Sequence, residues 1–435
     1  MFPSSRRAFL LVGTCLLLLG CSEPQMQTVT LDSAAEDFVR LALAVGRHDA
    51  DYVDAYFGPE QWQVTVEEES LGLDEILARA QALTEQIESL PAETEDSMVR
   101  QRHRRLAKTV ETLAARARYL TGARLSFDEE SAALFDAVAP ALGAEHFQNI
   151  LDQLDETLPG SGSLTDRYGA FKQDFVIPPD KLDAVFQAAI DACRERTRAF
   201  IELPDDESFV VEYVTDKSWS GYNWYQGEYH SLIQVNTDLP IYIDRALDLA
   251  CHEGYPGHHV FNLLLEKNLL RDRGWNEFFV YPLFGPRSLI AEGTANFGID
   301  VAFPAADRLQ FEREVLFPLA GLDPERVSEY YEILELLKGL SYAGNEAARG
   351  YLDGEMTAEQ AVDWLMTYSL MAEPRARQRL SFVEQYRTYV INYNLGQDLV
   401  RHHIEDLGGT AEDTERRWQL FAELLSNPLL PSQLQ

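Results

Sequence analysis

A proline placed where a helix should continue is the strongest constraint on how this chain can fold. Ile243 to Cys251 is an amphipathic run of helical period, and it leads straight into His252-Glu253-Gly254-Tyr255-Pro256-Gly257-His258-His259. Pro256 has no N–H to offer the carbonyl of His252, and its ring would clash with that carbonyl, so the helix must bulge or break there. Gly257 then permits backbone angles closed to other residues. On a straight helix, His258 would lie about 120° round from His252, and His259 about 20° round but about 10 Å further along. A break can return either of them to the side of His252.

Three imidazoles and a carboxylate in eight residues are the makings of a metal site. A hydrolytic zinc site uses three protein ligands and keeps one position open. The familiar His-Glu-x-x-His pattern sets its histidines four apart, and here the fourth position after His252 is Pro256. His252 is the first expected ligand. The next side chain cannot point the same way, which leaves Glu253 as the natural general base. His258 is the favoured second ligand, with His259 the alternative. The best third ligand is Glu292, a lone carboxylate in the apolar, small-residue stretch Leu289 to Phe297. A charge there is costly unless it is paired or ligating; the plain alternative is a surface or helix N-terminal glutamate. Asn296 and Asp300, one and two turns on, can orient ligand histidines. One zinc ion is therefore the expected cofactor.

The rest of the chain reads as mainly α. Helical spacing predicts helices over Leu31 to Val45, Leu71 to Leu90, Met98 to Leu120, Glu129 to Val138 and Asp180 to Phe200, and helix again from Asp244 almost to the end. The basic run Arg100 to Arg105 reads as a solvated helix face. Ser208 to Val214 and Ser231 to Asn236 are β-branched and aromatic. With the aromatic stretch Trp219 to Gly227 as a long loop, they predict a small antiparallel hairpin over 208–236, beside the active-site helix. Pro159 to Ser163 is the clearest loop. It suggests an N-terminal helical region, 21–160, followed by a catalytic region, 161–435, in one continuous domain.

The ends and the charge bound the setting. Residues 1–20 read as a signal peptide, with Arg6 and Arg7 before the apolar Phe9 to Leu19. Leu18-Leu19-Gly20-Cys21 resembles a lipobox, and Ser5 to Leu10 resembles a twin-arginine signal, so the export route stays open. The expectation is an exported protein on the periplasmic side, lipid-anchored at Cys21, with the outer membrane preferred because Ser22 is not a retention aspartate. Only that anchor would touch the membrane. Cys193 and Cys251 can pair or stay free, and Cys251 also reads as a helix packing residue. With 37 Lys plus Arg against 71 Asp plus Glu, the net charge of -34 argues against nucleic acid.

The octapeptide followed by Glu292-Gly293 resembles a large bacterial family known as domain of unknown function 885, whose members are often lipoproteins. Tyr52 to Pro59 and Tyr389 to Gly396 carry the resemblance towards both ends of the chain. That family is similar to the gluzincin zinc peptidases, whose metal is held by two histidines and a downstream glutamate. The resemblance implies a large helical, cleft-forming peptidase fold, with His252, His258 and Glu292 as ligands and Glu253 as base. It also implies that Tyr393 swings toward the metal as an oxyanion donor, a role for which Tyr255 and His259 compete. Arg387 is the candidate for a substrate carboxylate, and Ser231 to Asn236 for an edge strand that pairs with an extended peptide. The expected activity is metallopeptidase cleavage of a peptide substrate. The alternatives are hydrolysis of another amide or ester, or an inactive peptide-binding lipoprotein. The oligomeric state stays open.

Overall fold

The computed structural model describes residues 29–435. The expected signal peptide, with Cys21, lies outside the described residues. The chain is mainly α, with two small sheets. Its helices begin where side chains can cap them. Thr30 and Ser33 close a capping box on Leu31–Gly46, and Ser126 and Glu129 close one on Phe127–Phe135. The apolar stripes of Leu31–Gly46, Leu73–Ser89 and Ser97–Leu120 bury Phe38, Ile76, Leu83 and Val110. The same apolar cluster takes in Val280, Leu289 and Ile391 from the second half of the chain. A second cluster gathers Phe175, Leu247, Phe261, Phe297 and Phe317 around the motif helices.

The solvated-face reading of Arg100 to Arg105 fails at Arg102. It is 5% exposed, and its guanidinium forks onto Glu277, with Nε to Oε1 at 2.7 Å and Nη2 to Oε2 at 2.9 Å. Asp32 takes Nη1 at 2.6 Å. The basic run is thus a clasp between the first helix, the third long helix and the 276–279 turn.

The strands are β1 (Val53–Tyr56), β2 (Ser208–Val214), β3 (Gly221–Gly227), β4 (His230–Asn236) and β5 (Val280–Pro282). β1 pairs with β5 antiparallel and ties the N-terminal helices to residue 280. The other sheet has the order β2-β4-β3, and it corrects the sequence expectation. β2 and β4 run parallel, Ser208 opposite His230 through Val214 opposite Asn236. The aromatic stretch expected as a loop is mostly β3, antiparallel to β4. Glu228 and Tyr229, at φ 55° and 64°, make a tight turn between them. Gly221, Asn223 and Gly227 hid this strand, since all three are poor strand formers. β4 is therefore central, and Ser231 to Asn236 is not an edge open to a peptide.

The long helices Pro286–Ala302 and Ile391–Asp406 cross backbone to backbone. A Cβ on Gly293 would overlap the carbonyl of Gly396, and one on Gly396 would come within 2.7 Å of the Leu289 carbonyl oxygen. Cys193 and Cys251 form a disulfide between the Leu182–Arg198 helix and the residue before His252. Among the described residues, no helix is long and apolar enough to cross a membrane.

The crossing predicts an asymmetric response to added methyl groups. Gly293→Ala should lower unfolding stability by about 1–3 kcal/mol through overpacking. Gly169→Ala, on an exposed helical glycine with nothing within 4 Å of its Cβ, should be neutral or stabilising by up to ~1 kcal/mol. Urea melts of the two variants check this, and equal shifts would contradict the close contact.

Candidate metal centre

The break at Pro256 takes a specific form. Ile243–Leu249 is α-helical, and the chain then widens into a π-type turn over Ala250–Gly254, closed by Tyr255 N–H to Ala250 O at 3.2 Å. Tyr255 is extended, at φ -117° and ψ 118°. Helix resumes at His258. Gly257 donates to the carbonyl of Cys251 at 2.9 Å. A Cβ there would overlap the carbonyl oxygens of His252 and Cys251, so no other residue fits the return. The loop-out brings the rings of His252 and His258 to 4.6 Å between centroids, at right angles.

Glu292 completes the group from the Pro286–Ala302 helix. One ligand atom each from His252, His258 and Glu292 lies within 4.8 Å of the others. Glu292 Oε2 is 3.2 Å from His252 Nε2 and 3.7 Å from His258 Nε2. Tyr389 holds the other oxygen, Oε1, at 2.8 Å. Oε2 is buried and faces only the two imidazoles, so its charge is compensated there by a protonated histidine or by a metal ion. Asn296 Oδ1 lies 3.0 Å from His252 Nδ1. An amide oxygen only accepts, so the ring proton is on Nδ1 and Nε2 is free to ligate. Asp300 instead pairs with Arg401 at 2.7 Å and touches neither histidine. The donor set, two imidazole nitrogens and a carboxylate oxygen at the edge of a cavity, suits zinc.

Electrostatics bind the three together. Burial opposes the charge on Glu292, but His258 and His252 outweigh it and hold the carboxyl well below its usual range. Burial likewise opposes charge on His258, yet Glu292, Glu253 and Asp54 push it up to about 9. Glu253 faces the same cavity of about 600 Å³. Its backbone carbonyl accepts from Asn223 Nδ2 at 2.7 Å, while among the described residues nothing donates to its carboxylate. Burial raises its pKa, with His252 and His258 pulling the other way. A raised carboxyl beside a metal site suits proton transfer.

The other expected residues divide. Tyr393 lines the cavity. Burial, then Glu292, raises its phenol well above the ordinary value, so it stays a donor. His259 and Tyr255 do not reach the cavity. His259 is 0% exposed, with Nδ1 2.9 Å from Ser231 Oγ and Nε2 3.1 Å from Glu207 Oε2. Tyr255 donates to the same Glu207 carboxylate. Glu207, also joined by Arg194 at 2.6 Å, is the hub of a buried polar knot under β2 and β4. Arg387 lies outside the cavity as well, clamped on Glu130 with Nη2 to Oε2 at 2.8 Å. The structure thus places His259, Tyr255 and Arg387 away from the cavity, each held by a carboxylate.

Sequence reasoning also missed residues. Asp54 lines the cavity, accepts from the hydroxyl of Tyr222, and is pushed up to about 7 by burial, against the pull of His258 and Arg287. Tyr389, which orients Glu292, stood inside a quoted motif without a role. Asp54 stood in the other quoted motif. The motifs were the only available signal, because the partners are far apart in the chain.

No protein-family model matches the chain, and no curated protein does. The resemblance to domain of unknown function 885 thus has no family-model match behind it. Among solved structures, a candidate lipoprotein from Colwellia psychrerythraea superposes with a TM-score of 0.51 at 16% identity, over 86% of this chain and 68% of that one. A lipoprotein of unknown function from Shewanella oneidensis gives 0.45 at 15% identity, over 86% and 74%. An M32 carboxypeptidase from Deinococcus radiodurans R1 gives 0.39 at 14% identity, over 93% and 92%. At TM-scores below 0.5, the last two establish no shared fold. The first shows that the chain shares its fold with the Colwellia protein.

Proposed function

We propose that this chain is a zinc-dependent hydrolase that cleaves peptide bonds. The observation that carries the reading is the convergence of His252, His258 and the buried Glu292 Oε2 next to a free, buried Glu253 carboxylate. A divalent cation such as zinc, when bound, supplies Lewis acidity that polarises a carbonyl and eases deprotonation of water. The chain's own groups do the rest. Glu253 takes a proton from the attacking water as its oxygen bonds to the carbonyl carbon. The C–N bond then breaks, and Glu253 hands that proton to the leaving amine. Tyr393 donates toward the developing oxyanion. Tyr389 and Asn296 hold the ligands in place. β3 is an edge strand whose Gly221 lies against Glu253: a Cβ there would be 2.7 Å from Glu253 Oε1. We assign β3, in place of β4, as the strand an extended peptide would pair with.

For the setting, we propose an exported lipoprotein anchored at Cys21. Its support is the signal-like start and the Cys193–Cys251 disulfide, which belongs to an oxidising compartment.

Two measurements test the reading. Glu253→Gln should cut peptide hydrolysis by about 10²–10⁴-fold while bound zinc, by elemental analysis, is retained; unchanged turnover ends the mechanism. The second is metal uptake against pH. His258, raised to about 9 without metal, is protonated at pH 7 and must lose that proton to ligate. Zinc binding should therefore release a proton at pH 7, and its affinity should rise with pH until about 9. Calorimetry in buffers of different ionisation enthalpy reads the proton directly, and zero release would contradict a protonated His258 that gives up its proton to the metal.

A further inference from the structure

The cavity has a second wall, formed by the Glu373–Tyr386 helix, and it carries cations without acids. In a chain with 71 acidic and 37 basic side chains, an arginine that finds no carboxylate is unexpected. Arg102, Arg116, Arg308 and Arg387 are all paired, while buried Arg287 is held by Asn262 instead. Exposed Arg375 and half-buried Arg379 both line the cavity, and among the described residues neither has an acidic partner. Arg375 donates to Gln378 Oε1 at 3.2 Å. Arg379 lies over the rings of Phe382 and Tyr393, at 5.1 Å and 5.9 Å from their centroids. Burial lowers the Arg379 pKa; Tyr393 opposes this and Arg375 adds to it. Its charge is thus partly desolvated with no anion in return.

The position matters as much as the charge. The Tyr393 ring is 5.8 Å from that of Tyr389, whose hydroxyl holds Glu292. Arg379 is therefore two side chains away from a metal ligand. The same cavity holds Asp54, Glu253 and Glu292, and Asp54 already accepts from Tyr222.

We propose that Arg379, with Arg375 at its flank, binds the C-terminal carboxylate of the substrate, so that cleavage falls near the C-terminal end of a peptide. This rests on the peptidase reading for its chemistry, but the anion site stands on its own contacts. A guanidinium can take a carboxylate in two parallel hydrogen bonds, a geometry an amide cannot reproduce. A side-chain carboxylate offers the same group, and the test separates the two sources.

The test is a binding measurement on zinc-loaded Glu253→Gln protein, by calorimetry, with three N-acetylated tripeptides: a free acid, its C-terminal amide, and an amide ending in aspartate. The free acid should bind roughly 100-fold more tightly than either amide. Arg379→Gln should abolish that preference, and Arg379→Lys should keep part of it, with zinc content and melting temperature unchanged in both. Equal binding of acid and amide, no binding of any peptide, or an aspartyl amide as tight as the acid would each overturn the proposal. These comparisons use an unaltered Arg379, so they do not depend on how its variants fold. Wild-type protein reports separately on the chemistry. If it hydrolyses none of the peptides while the acid preference holds, the peptidase reading fails and the carboxylate site stands. If it cleaves acid and amide alike, with equal binding, the carboxylate site fails and the peptidase reading stands.

Discussion

One buried oxygen, Oε2 of Glu292, sets the terms for the rest of this structure. A carboxylate in an almost wholly buried helix has to be compensated, and three side chains supply that compensation. Tyr389 holds one oxygen. His252 and His258 face the other, and the helix break exists to let both do so. Removing the break would strand His258 on another face of its helix and leave the carboxylate with a single imidazole. The insertion of Pro256 and Gly257 is thus part of the electrostatics of Glu292, although it lies in a different element.

The legible parts of the site were those governed by local rules. Proline and glycine in a helical run force a break whatever the fold, and a lone acid in an apolar helix calls for a partner whatever the fold. Those two rules lead to His252, His258 and Glu292. Adjacent placement leads to Glu253. The illegible parts depend on where distant segments land. Asp54 reaches the cavity because β1 pairs with β5, and no local pattern announces that pairing. Arg387 had the right chemistry for a substrate carboxylate, but Glu130 arrives from another helix to claim it. Arg379, eight residues earlier, had no distinguishing signal and is the one left free. His259 looked like a spare ligand, yet it turns into the knot around Glu207.

The fold follows the same division. Helices with clean apolar stripes and capping boxes were readable, because their cause lies within a dozen residues. The mixed sheet was not. Its parallel pair joins β2 and β4 across the whole of β3, and β3 contains glycines and an asparagine where propensity expects branched residues. One of those glycines, Gly221, sits where a side chain would collide with Glu253. The feature that disguised the strand is the one that lets it pass beside Glu253.

The contact between Gly293 and Gly396 has a mechanical consequence. Glu292 stands beside an axle with no slack: two long helices touch through their backbones, and neither can slide without a clash. The ligand side of the cavity is therefore a fixed jaw. The Glu373–Tyr386 helix, with Arg375 and Arg379, lines the same cavity, so whatever enters there meets His252, His258 and Glu292 in positions set by backbone packing.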